Sequence, residues 1–307
     1  MLSIEFDAMG CRIQLVLDSD SAAAAAALQQ TPTWFAQWSA QLSRFDADSE
    51  LSCLNRYGSG QVSGVLWSVL QAALQAARSS NGLVTPTILP ALLAAGYTCS
   101  FEQLNRQQPE RLPEAAAVPD WQRIACNEAT QSVDLNGTQL DLGGIAKGWC
   151  AQQAAQKLHV HGAVLVDAGG DIAVCGTPAN TAAWTVAVAH PLLPQQDAAL
   201  LYLRSGAVAT SGRDYRHWQR HGQTCHHIID PRSGISGHSD IINATVHAAD
   251  AVTAEMAAKA ILILGSAAAK PWLAAQAHLA ACWLSEQYGW QSAGIFDWHT
   301  APPSTQQ

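Results

Sequence analysis

The chain has 307 residues, of which 49% are hydrophobic, and its formal net charge is −8. This length and composition predict one large domain, or two closely joined ones, with a sizeable core. The acidic balance argues against a nucleic-acid partner, and eight cysteines without a C-x-x-C pair argue against a zinc site or a disulfide framework, so we expect reduced and mostly buried thiols.

The first part of the chain predicts a strand pair followed by helices. Residues Ile4–Leu17 are strand-like and are interrupted at Met9-Gly10, which is typical of two strands joined by a turn. The alanine-rich stretch Ser21–Leu42 predicts a helix that a proline interrupts. Gly64–Ser80 predicts a second, amphipathic helix.

The rest of the chain predicts a mixture of strands and helices. Arg106–Asp120, rich in proline and glutamate, predicts a surface loop with a short helix. The predicted strands are Ser132–Leu140, Ala163–Val166, Ile172–Cys175, Trp184–Ala189, Ala199–Leu203, Val208–Ser211, His227–Ile229 and Ala244–Ala248. The predicted helices are Trp149–Leu158, Val252–Leu264 and Ser266–Ala275. Because the two kinds of element mix without regular alternation, the predicted fold class is α+β.

A single domain is predicted over residues 1–295, and residues 296–307 are predicted to be a disordered C-terminal tail. At the N-terminus, the apolar residues are interrupted by the charged residues Glu5, Asp7 and Arg12. This pattern predicts a strand rather than a signal peptide. No apolar run is expected to be long enough to span a membrane. The expected location is therefore the cytoplasm.

The most informative stretch is Asp141–Gly148, which reads DLGGIAKG. It follows a predicted strand with an Asn-Gly turn and opens a predicted helix. Glycines allow backbone N–H groups to approach a ligand closely, and a helix N-terminus favours anions. Lys147 adds a mobile positive charge, and Asp141 adds an acceptor for a ring N–H, a sugar hydroxyl or a metal. The stretch predicts a nucleotide or phosphate site, but it is neither a Walker motif nor a GxGxxG motif, so a plain tight turn is the alternative.

Four further turns are candidates for the walls of such a site. Phe45, within the acidic turn Arg44–Leu51, provides a ring that can stack on a flat heterocycle. Asn81–Thr87 can present backbone groups to a heterocycle edge, and Val166–Ile172 contains a double-glycine turn able to pack over a ligand. Thr210–Arg213 offers hydroxyl groups and a guanidinium to phosphate oxygens. A capped loop, a helix-to-loop connection and a hairpin are the plain structural alternatives for the first three.

Two sets of titratable residues complete the candidates. His226 and His227 precede an Asp-Pro turn on a predicted strand, and because side chains alternate on a strand, one of the two can face a given site. A lone histidine is, however, more often structural than catalytic. Glu255 and Lys259 lie four residues apart on a predicted helix, which fits an ordinary salt bridge. Because the surrounding helix is apolar, the pair is also a candidate for a partly buried pair retained for a site.

In this order along the chain, these motifs resemble the ApbE-like flavin transferase family, the FAD:protein FMN transferases. The resemblance rests on Met9-Gly10, residues 43–55 (SRFDADSELSCLN), residues 82–87, DLGGIAKG, VDAGGDI, TSG, HIIDP-x-SG and the helix that ends at Leu264-Gly265. It extends to about residue 290 and implies an ApbE-like fold, with mixed sheets and packed helices in two joined subdomains. Family members transfer FMN from FAD onto a threonine or serine hydroxyl of a target protein and release AMP.

The resemblance also implies roles for individual residues. The positions that match the family's FAD contacts are Met9, Phe45, Leu83, Val84, Thr85, Asp141, Lys147 and Ile229. The implied catalytic residues are His227 and Lys147, with His227 as the base on the incoming hydroxyl or as a holder of the pyrophosphate. Phe45 occupies a position where the family often has tyrosine. Its ring can still stack on the flavin, but it lacks the tyrosine hydroxyl.

The family's Mg²⁺ site is where this chain departs from the resemblance. That site combines a backbone group near Gly144 with an aspartate and, four residues on, a threonine of the last helix, and these two positions are Glu255 and Lys259 here. The expected metal ligands therefore reduce to Gly144 and Glu255. An ammonium at Lys259 would repel Mg²⁺ and can itself neutralise the pyrophosphate, which predicts a weaker need for the metal.

Two alternative functions stay open. One is hydrolysis of FAD to FMN and AMP, which is a sister activity in the same family. The other is an FAD-binding module with degraded catalysis that serves as a carrier, a sensor or an electron-transfer partner. The altered metal site favours both alternatives over transfer, whereas His227 and Lys147 favour catalysis. The expected partners are FAD and an acceptor protein with a modified Thr or Ser, without nucleic acid.

Overall fold

The structure is a computed structural model that describes residues 1–108, 115–193, 195–220, 222–294 and 298–300. In these ranges the α-helices are α1 (Ala22–Gln29), α2 (Thr31–Leu42), α3 (Glu50–Tyr57), α4 (Gly64–Ser79), α5 (Leu89–Ala94), α6 (Ala146–Leu158) and α7 (Ala251–Ala274). Short 3₁₀ helices lie at Pro86–Ile88, Trp121–Arg123 and His159–His161.

In the same ranges, the strands form one large sheet and four small ones. The strands are β1 (Leu2–Ala8), β2 (Cys11–Asp18), β3 (Ser59–Gln61), β4 (Gln107–Gln108), β5 (Ala125–Asn127), β6 (Ser132–Asp134), β7 (Ala163–Ala168), β8 (Asp171–Cys175), β9 (Trp184–Ala189), β10 (Asp197–Leu203), β11 (Gly206–Gly212), β12 (His217–Arg220), β13 (Gln223–His226), β14 (Ile229–Asp230), β15 (Ile235–Ser236), β16 (Ile241–Ala248), β17 (Ala280–Ser285), β18 (Gly289–Ala293) and β19 (Trp298–Thr300). The predicted class, α+β, is confirmed by this mixture of helices and mostly antiparallel sheets.

The large sheet has the strand order β1-β2-β7-β8-β11-β16-β17-β18, and every neighbouring pair in it is antiparallel. The β1–β2 hairpin turns at Met9 and Gly10, whose φ angles are 53° and 66°, so the predicted strand pair is confirmed. The β7–β8 hairpin turns at the double glycine that begins with Gly169. Because the Gly169 N–H donates to the Arg12 carbonyl (3.1 Å), the two turns lie side by side at one end of the sheet.

Helices α6 and α7 pack against the large sheet and against each other. Helix α7 contains Gly265 with a φ of 74°, which confirms the predicted break between two helical stretches. By length and composition α7 could cross a membrane, so the prediction that no run is long enough was wrong on length. Most of this helix is buried inside the protein, which is typical of a core helix.

In the part of the chain that the structure describes, the buried apolar side chains form three clusters. The first lies among the large sheet and the helices α1–α4, α6 and α7, and includes Phe35. The second joins α5 to the strands around Trp218. The third joins β9 and β10 to β8 and β11 around Leu201. All three clusters contribute residues to the cavity described below.

Two predicted strands differ in the structure, because a turn or a change of strand partner interrupts them. Of the predicted segment Ser132–Leu140, only the part before the turn is a strand, β6, while the predicted Asn-Gly turn is confirmed by φ angles of 46° at Asn136 and 77° at Gly137. The predicted strand His227–Ile229 does not form. There, β13 pairs with β12 and β14 pairs with β15, so His227 lies at the bend between two small sheets.

The chain also ends differently from the prediction. Residues 298–300 form β19, which pairs with β10, so the predicted disorder of residues 296–307 is wrong for this segment. The physical reason is that β10 pairs with β9 along one edge only. Strand β19 pairs with the backbone N–H and C=O groups along its other edge. Residues 301–307 lie outside the described ranges, as do residues 109–114 of the predicted loop Arg106–Asp120.

All eight cysteines are free, as predicted, but they are less buried than expected. Cys150, Cys225 and Cys282 are buried, whereas Cys126 is exposed and the other four are half-buried.

Candidate functional site

A cavity of about 1170 Å³ lies where the paired turns of the large sheet meet α6 and α7. This volume lies slightly above the usual range for small-molecule sites, so the cavity has room for a large ligand. The twelve residues to which the family resemblance assigned a site role all line it: Met9, Phe45, Leu83, Val84, Thr85, Asp141, Gly144, Lys147, His227, Ile229, Glu255 and Lys259. The fold therefore brings these residues together, while their individual roles stay predictions.

The chain before DLGGIAKG is held by the side chain of Asn55. Its Nδ2 donates to the Leu140 carbonyl (2.8 Å), and its Oδ1 accepts from the Leu140 N–H (2.7 Å). The next residue, Asp141, donates its N–H to the Pro86 carbonyl (2.9 Å), which ties this turn to the loop that carries Thr85. Two of the predicted ligand-binding turns are thus fixed to each other by backbone contact.

Helix α6 begins inside the motif, at Ala146, three residues before the predicted start at Trp149. Lys147 therefore lies in the first turn of the helix, near the end that attracts anions. The preceding turn is closed by the Gly143 N–H, which donates to Asp141 Oδ1 (2.8 Å). Among the described residues, no side chain caps the α6 N-terminus, so the expected combination of glycine turn and helix N-terminus is present.

The ring of Phe45 packs beside an arginine to which the sequence assigned no role. The guanidinium of Arg44 lies 4.0 Å from the centre of the Phe45 ring and 4.8 Å from that of Tyr97. Arg44 Nε lies 2.5 Å from Asp141 Oδ2, and both side chains are largely buried. Phe45 keeps 45% of its surface exposed, so its ring is available for stacking in the cavity.

Four charged side chains form a continuous row in the cavity wall, in the order Asp171, Lys147, Glu255, Lys259. Lys147 Nζ contacts Asp171 Oδ2 and lies 3.4 Å from Glu255 Oε1. Lys259 Nζ lies 3.0 Å from the same Glu255 oxygen. Glu255 has no exposed surface, and its second oxygen accepts the Gly148 N–H (3.3 Å). The predicted helix pair is therefore buried, and it extends to Lys147 and Asp171.

Mutual contact sets the charge states in this row. Burial raises the pKa of Glu255, but the ammonium groups of Lys147 and Lys259 outweigh burial, so the pKa lies below its usual value. Burial lowers the pKa of Lys147, but Asp171 and Glu255 outweigh it and the pKa is raised. Burial and the neighbouring Glu255 raise the pKa of Asp171 despite Lys147. Glu255 is thus ionised and Lys147 protonated at neutral pH.

The side chains in this row do not fit a divalent cation. Mg²⁺ requires several oxygen ligands in near-octahedral geometry, but both oxygens of Glu255 already accept hydrogen bonds, one of them from Lys259. Within the described ranges, no group of three or more His, Cys, Asp or Glu side chains is placed to hold a metal ion. A Cβ at Gly144 would lie 3.1 Å from Lys259 Cε, so the lysine stem packs against the predicted backbone ligand. We assign no metal to the site.

The two neighbouring histidines have different surroundings. His226 is buried outside the cavity, where its Nε2 donates to the Gly237 carbonyl (2.8 Å). His227 lines the cavity, and its Nδ1 lies 3.4 Å from the Arg216 carbonyl. Burial, followed by the positive charges of Arg216 and Lys259 and by His226, holds the pKa of His227 well below its usual value. This imidazole is therefore neutral at pH 7.

The stretch Thr210–Arg213 lies only partly in the cavity. Its first three residues line the cavity, whereas Arg213 pairs with Glu286 (2.6 Å) and donates to the Ile241 carbonyl (2.9 Å). The prediction that this arginine meets phosphate oxygens is therefore wrong. Arg44 and Asp171 are two of the charged cavity residues that the sequence did not assign to the site. Both lie inside motifs already noted, but their partners are distant along the chain.

Comparisons with known proteins agree with the fold and the cavity. The chain matches the model of the ApbE family over residues 9–283. It is 31% identical to the FAD:protein FMN transferase of Treponema pallidum over 276 residues, which are 83% of this chain and 76% of that protein. It is 28% identical to the FAD:protein FMN transferase of Haemophilus influenzae over 239 residues, with coverages of 74% and 69%.

Solved structures show the same architecture. The crystal structure of an ApbE protein from Thermotoga maritima matches with a TM-score of 0.83 and 24% identity, over 95% of this chain and 96% of that one. The flavin transferase ApbE from Vibrio cholerae matches with a TM-score of 0.78 and 19% identity, over 95% and 96% of the two chains. At these identities the likeness concerns the fold, and the family itself follows from the match of the family model over most of the sequence. The chain belongs to the ApbE family.

Proposed function

We propose that this protein is an FAD:protein FMN transferase, which moves FMN from FAD to a threonine or serine hydroxyl of an acceptor protein and releases AMP. The observation that carries the proposal is the shared cavity, in which a neutral His227 and the two ammonium groups of Lys147 and Lys259 lie with the predicted flavin contacts. A base, positive charge for a diphosphate and a ring for stacking are the groups that this reaction requires.

In the proposed reaction, the acceptor hydroxyl oxygen bonds to the phosphorus of the FMN half of FAD. The bond between this phosphorus and the bridging oxygen breaks, and AMP leaves with that oxygen. FAD and the hydroxyl are thereby converted into an FMN phosphoester and AMP, without any other reactant. The proton of the hydroxyl passes to the enzyme's base, which later releases it to water or to AMP.

His227 suits the role of that base. A carbonyl oxygen only accepts hydrogen bonds, so the contact with the Arg216 carbonyl assigns the ring proton to Nδ1 and leaves Nε2 free to accept a proton. The depressed pKa keeps the ring in its neutral, proton-accepting form at physiological pH and at the same time makes it a weaker base than a free imidazole. Lys147 and Lys259 offset the negative charge that develops on the leaving phosphate.

Intact-protein mass spectrometry tests the proposal. Purified protein is incubated with FAD and a candidate acceptor that carries an accessible Thr or Ser, and AMP is measured by chromatography. We expect the acceptor to gain the mass of an FMN group and AMP to appear in equal amount. An acceptor in which the modified residue is replaced by alanine serves as the control and should gain no mass.

The same assay separates the alternatives. AMP together with free FMN, and no change in acceptor mass, would support hydrolysis of FAD instead. FAD that is bound but chemically unchanged would support a carrier or sensor. Either result would overturn the proposed transfer.

A further inference from the structure

We infer that Lys259 takes the place of a divalent cation in this site and binds the diphosphate of FAD directly, with Glu255 as its positioning residue. The inference rests on the proposed function, because it concerns how the proposed substrate is held.

The two lysines in the charged row are not equivalent. Lys147 is engaged by two carboxylates, those of Asp171 and Glu255. Within the described ranges, the polar partner of Lys259 Nζ is Glu255. An ammonium group carries three N–H donors, so Lys259 retains donors for a ligand in the cavity that it lines. Lys259 is therefore the cation of the row best able to meet an incoming anion.

The position of Lys259 also suits a diphosphate. Its stem packs against the glycine turn of DLGGIAKG, where a Cβ at Gly144 would lie 3.1 Å from Cε and 3.9 Å from Nζ. The glycine thus leaves room for the lysine beside the N-terminus of α6. The positive end of the 13-residue helix and the ammonium group converge on the same part of the cavity wall. The favourable environment for phosphate oxygens comes from the protein itself.

Glu255 holds this arrangement in place. One of its oxygens accepts from Lys259, and the other accepts the Gly148 N–H at the start of α6. The carboxylate therefore orients the lysine relative to the helix that binds the anion, and it is not available as a metal ligand. A divalent cation next to Glu255 would also face two ammonium groups, which repel it.

Calorimetry of FAD and riboflavin tests the inference. Both ligands carry the flavin ring, but riboflavin has no phosphate, so it reports on the flavin contacts and on correct folding. Wild type, Lys259→Gln, Lys259→Arg and Lys270→Gln are each titrated in chelator and in Mg²⁺. Lys270 lies on the exposed side of the same helix and provides the matched control for loss of a lysine.

We expect wild type to bind FAD equally well in chelator and in Mg²⁺. Lys259→Gln should weaken FAD binding by about tenfold or more, as for loss of a charge-assisted hydrogen bond, and leave riboflavin binding unchanged. Lys259→Arg should recover part of the loss, and Lys270→Gln should behave as wild type. Recovery is expected to be partial because a guanidinium is planar and larger.

Two results would overturn the inference. One is a wild type whose FAD binding disappears in chelator and returns with Mg²⁺. The other is a Lys259→Gln variant that binds FAD as tightly as wild type. A wild type that binds FAD in chelator but never modifies an acceptor would instead overturn the proposed transfer alone. Failure to bind FAD in either buffer would overturn both.

Discussion

At the scale of single residues, His227 and His226 differ by their surroundings, although they are neighbours in the chain. His227 lines the cavity with a neutral ring, whereas His226 is bonded to the Gly237 carbonyl outside it. We expect His227→Ala to reduce the rate of AMP release by about 10²–10⁴-fold, the range for loss of a general base. His226→Ala should leave the rate per folded molecule much less affected. Equal losses from both variants would show that His227 has no special role.

The residue-scale predictions worked where one motif contains both the residue and the reason for its role. DLGGIAKG places Lys147 and Asp141 around a glycine turn, and the cavity contains both. Arg44 and Asp171 were not assigned because their roles depend on partners distant in sequence, Asp141 and Lys147. Such ion pairs are set by the packing of elements, which local patterns do not contain.

At the scale of elements, the stretch from β13 to β15 links the free energy of unfolding to pH. Burial and, to a lesser extent, nearby Arg213 lower the pKa of His226 to about 4, although the bond to Gly237 acts in the opposite direction. Below the unfolded-state pKa of about 6.5, the unfolded chain binds a proton that the folded chain does not bind, so stability is lost as pH falls. Asp171 has the opposite effect on stability. Because its pKa is raised in the folded state, its contribution to stability is lost as pH rises.

Comparison with His226→Gln isolates this effect, because Asp171 contributes equally to both proteins. We expect the stability advantage of wild type over His226→Gln to shrink by roughly 2 kcal/mol between about pH 7.5 and about pH 5. Urea unfolding at the two pH values measures the difference. His278→Gln, an exposed substitution, serves as the control. An advantage of the same size at both pH values would contradict the assignment.

Helix α7 carries the second element-scale prediction. Glu255→Asp combined with Lys259→Thr removes the ammonium group and introduces the oxygen ligands that the family resemblance implies for Mg²⁺. We expect this double variant to bind FAD more tightly, and to release AMP faster, in Mg²⁺ than in chelator, whereas wild type should show no such difference. Lys259→Ala alone should weaken FAD binding without gaining a response to the metal. A double variant that is indifferent to Mg²⁺ would show that the family's ligand set cannot be rebuilt here.

Most elements could be predicted from the sequence where periodicity and turn residues agree. The helix Gly64–Ser80, the Met9-Gly10 hairpin and the break at Gly265 follow from such local signals. The strand predicted at His227–Ile229 does not form because the residues on either side of the bend pair in two different small sheets. The chain up to His226 pairs with β12, the chain from Ile229 pairs with β15, and local sequence does not reveal these partners. The failed prediction falls at the cavity, where the bend carries His227.

At the scale of the whole molecule, the cavity joins all three apolar clusters. A ligand bound there should therefore stabilise them together. We expect FAD at about 100 times its dissociation constant to raise the free energy of unfolding by about 2.7 kcal/mol, or the melting temperature by about 5 °C. Calorimetry and circular dichroism should show a single transition that moves as a unit. Two transitions, with only one moved by FAD, would contradict the predicted single domain over residues 1–295.

The family and the fold class were within reach of the sequence, because several short motifs occur in a fixed order over most of the chain. The arrangement of eight strands in the large sheet was not, since β2 pairs with β7 and β11 with β16 across long intervening segments. Such pairings depend on which edges remain open after the local hairpins form.

The carboxylate of Glu255, shared between two lysines and a helix amide, also restricts the order in which substitutions can accumulate in a lineage. Loss of Lys259 first leaves Glu255 paired with Lys147 and the Gly148 N–H, so the buried charge keeps partners. Loss of the carboxylate first leaves Lys147 with Asp171 alone and removes the carboxylate partner of Lys259, so two cations lose a partner in one step. An evolutionary path between a lysine-type and a metal-type site is therefore expected to change position 259 before position 255, or both together.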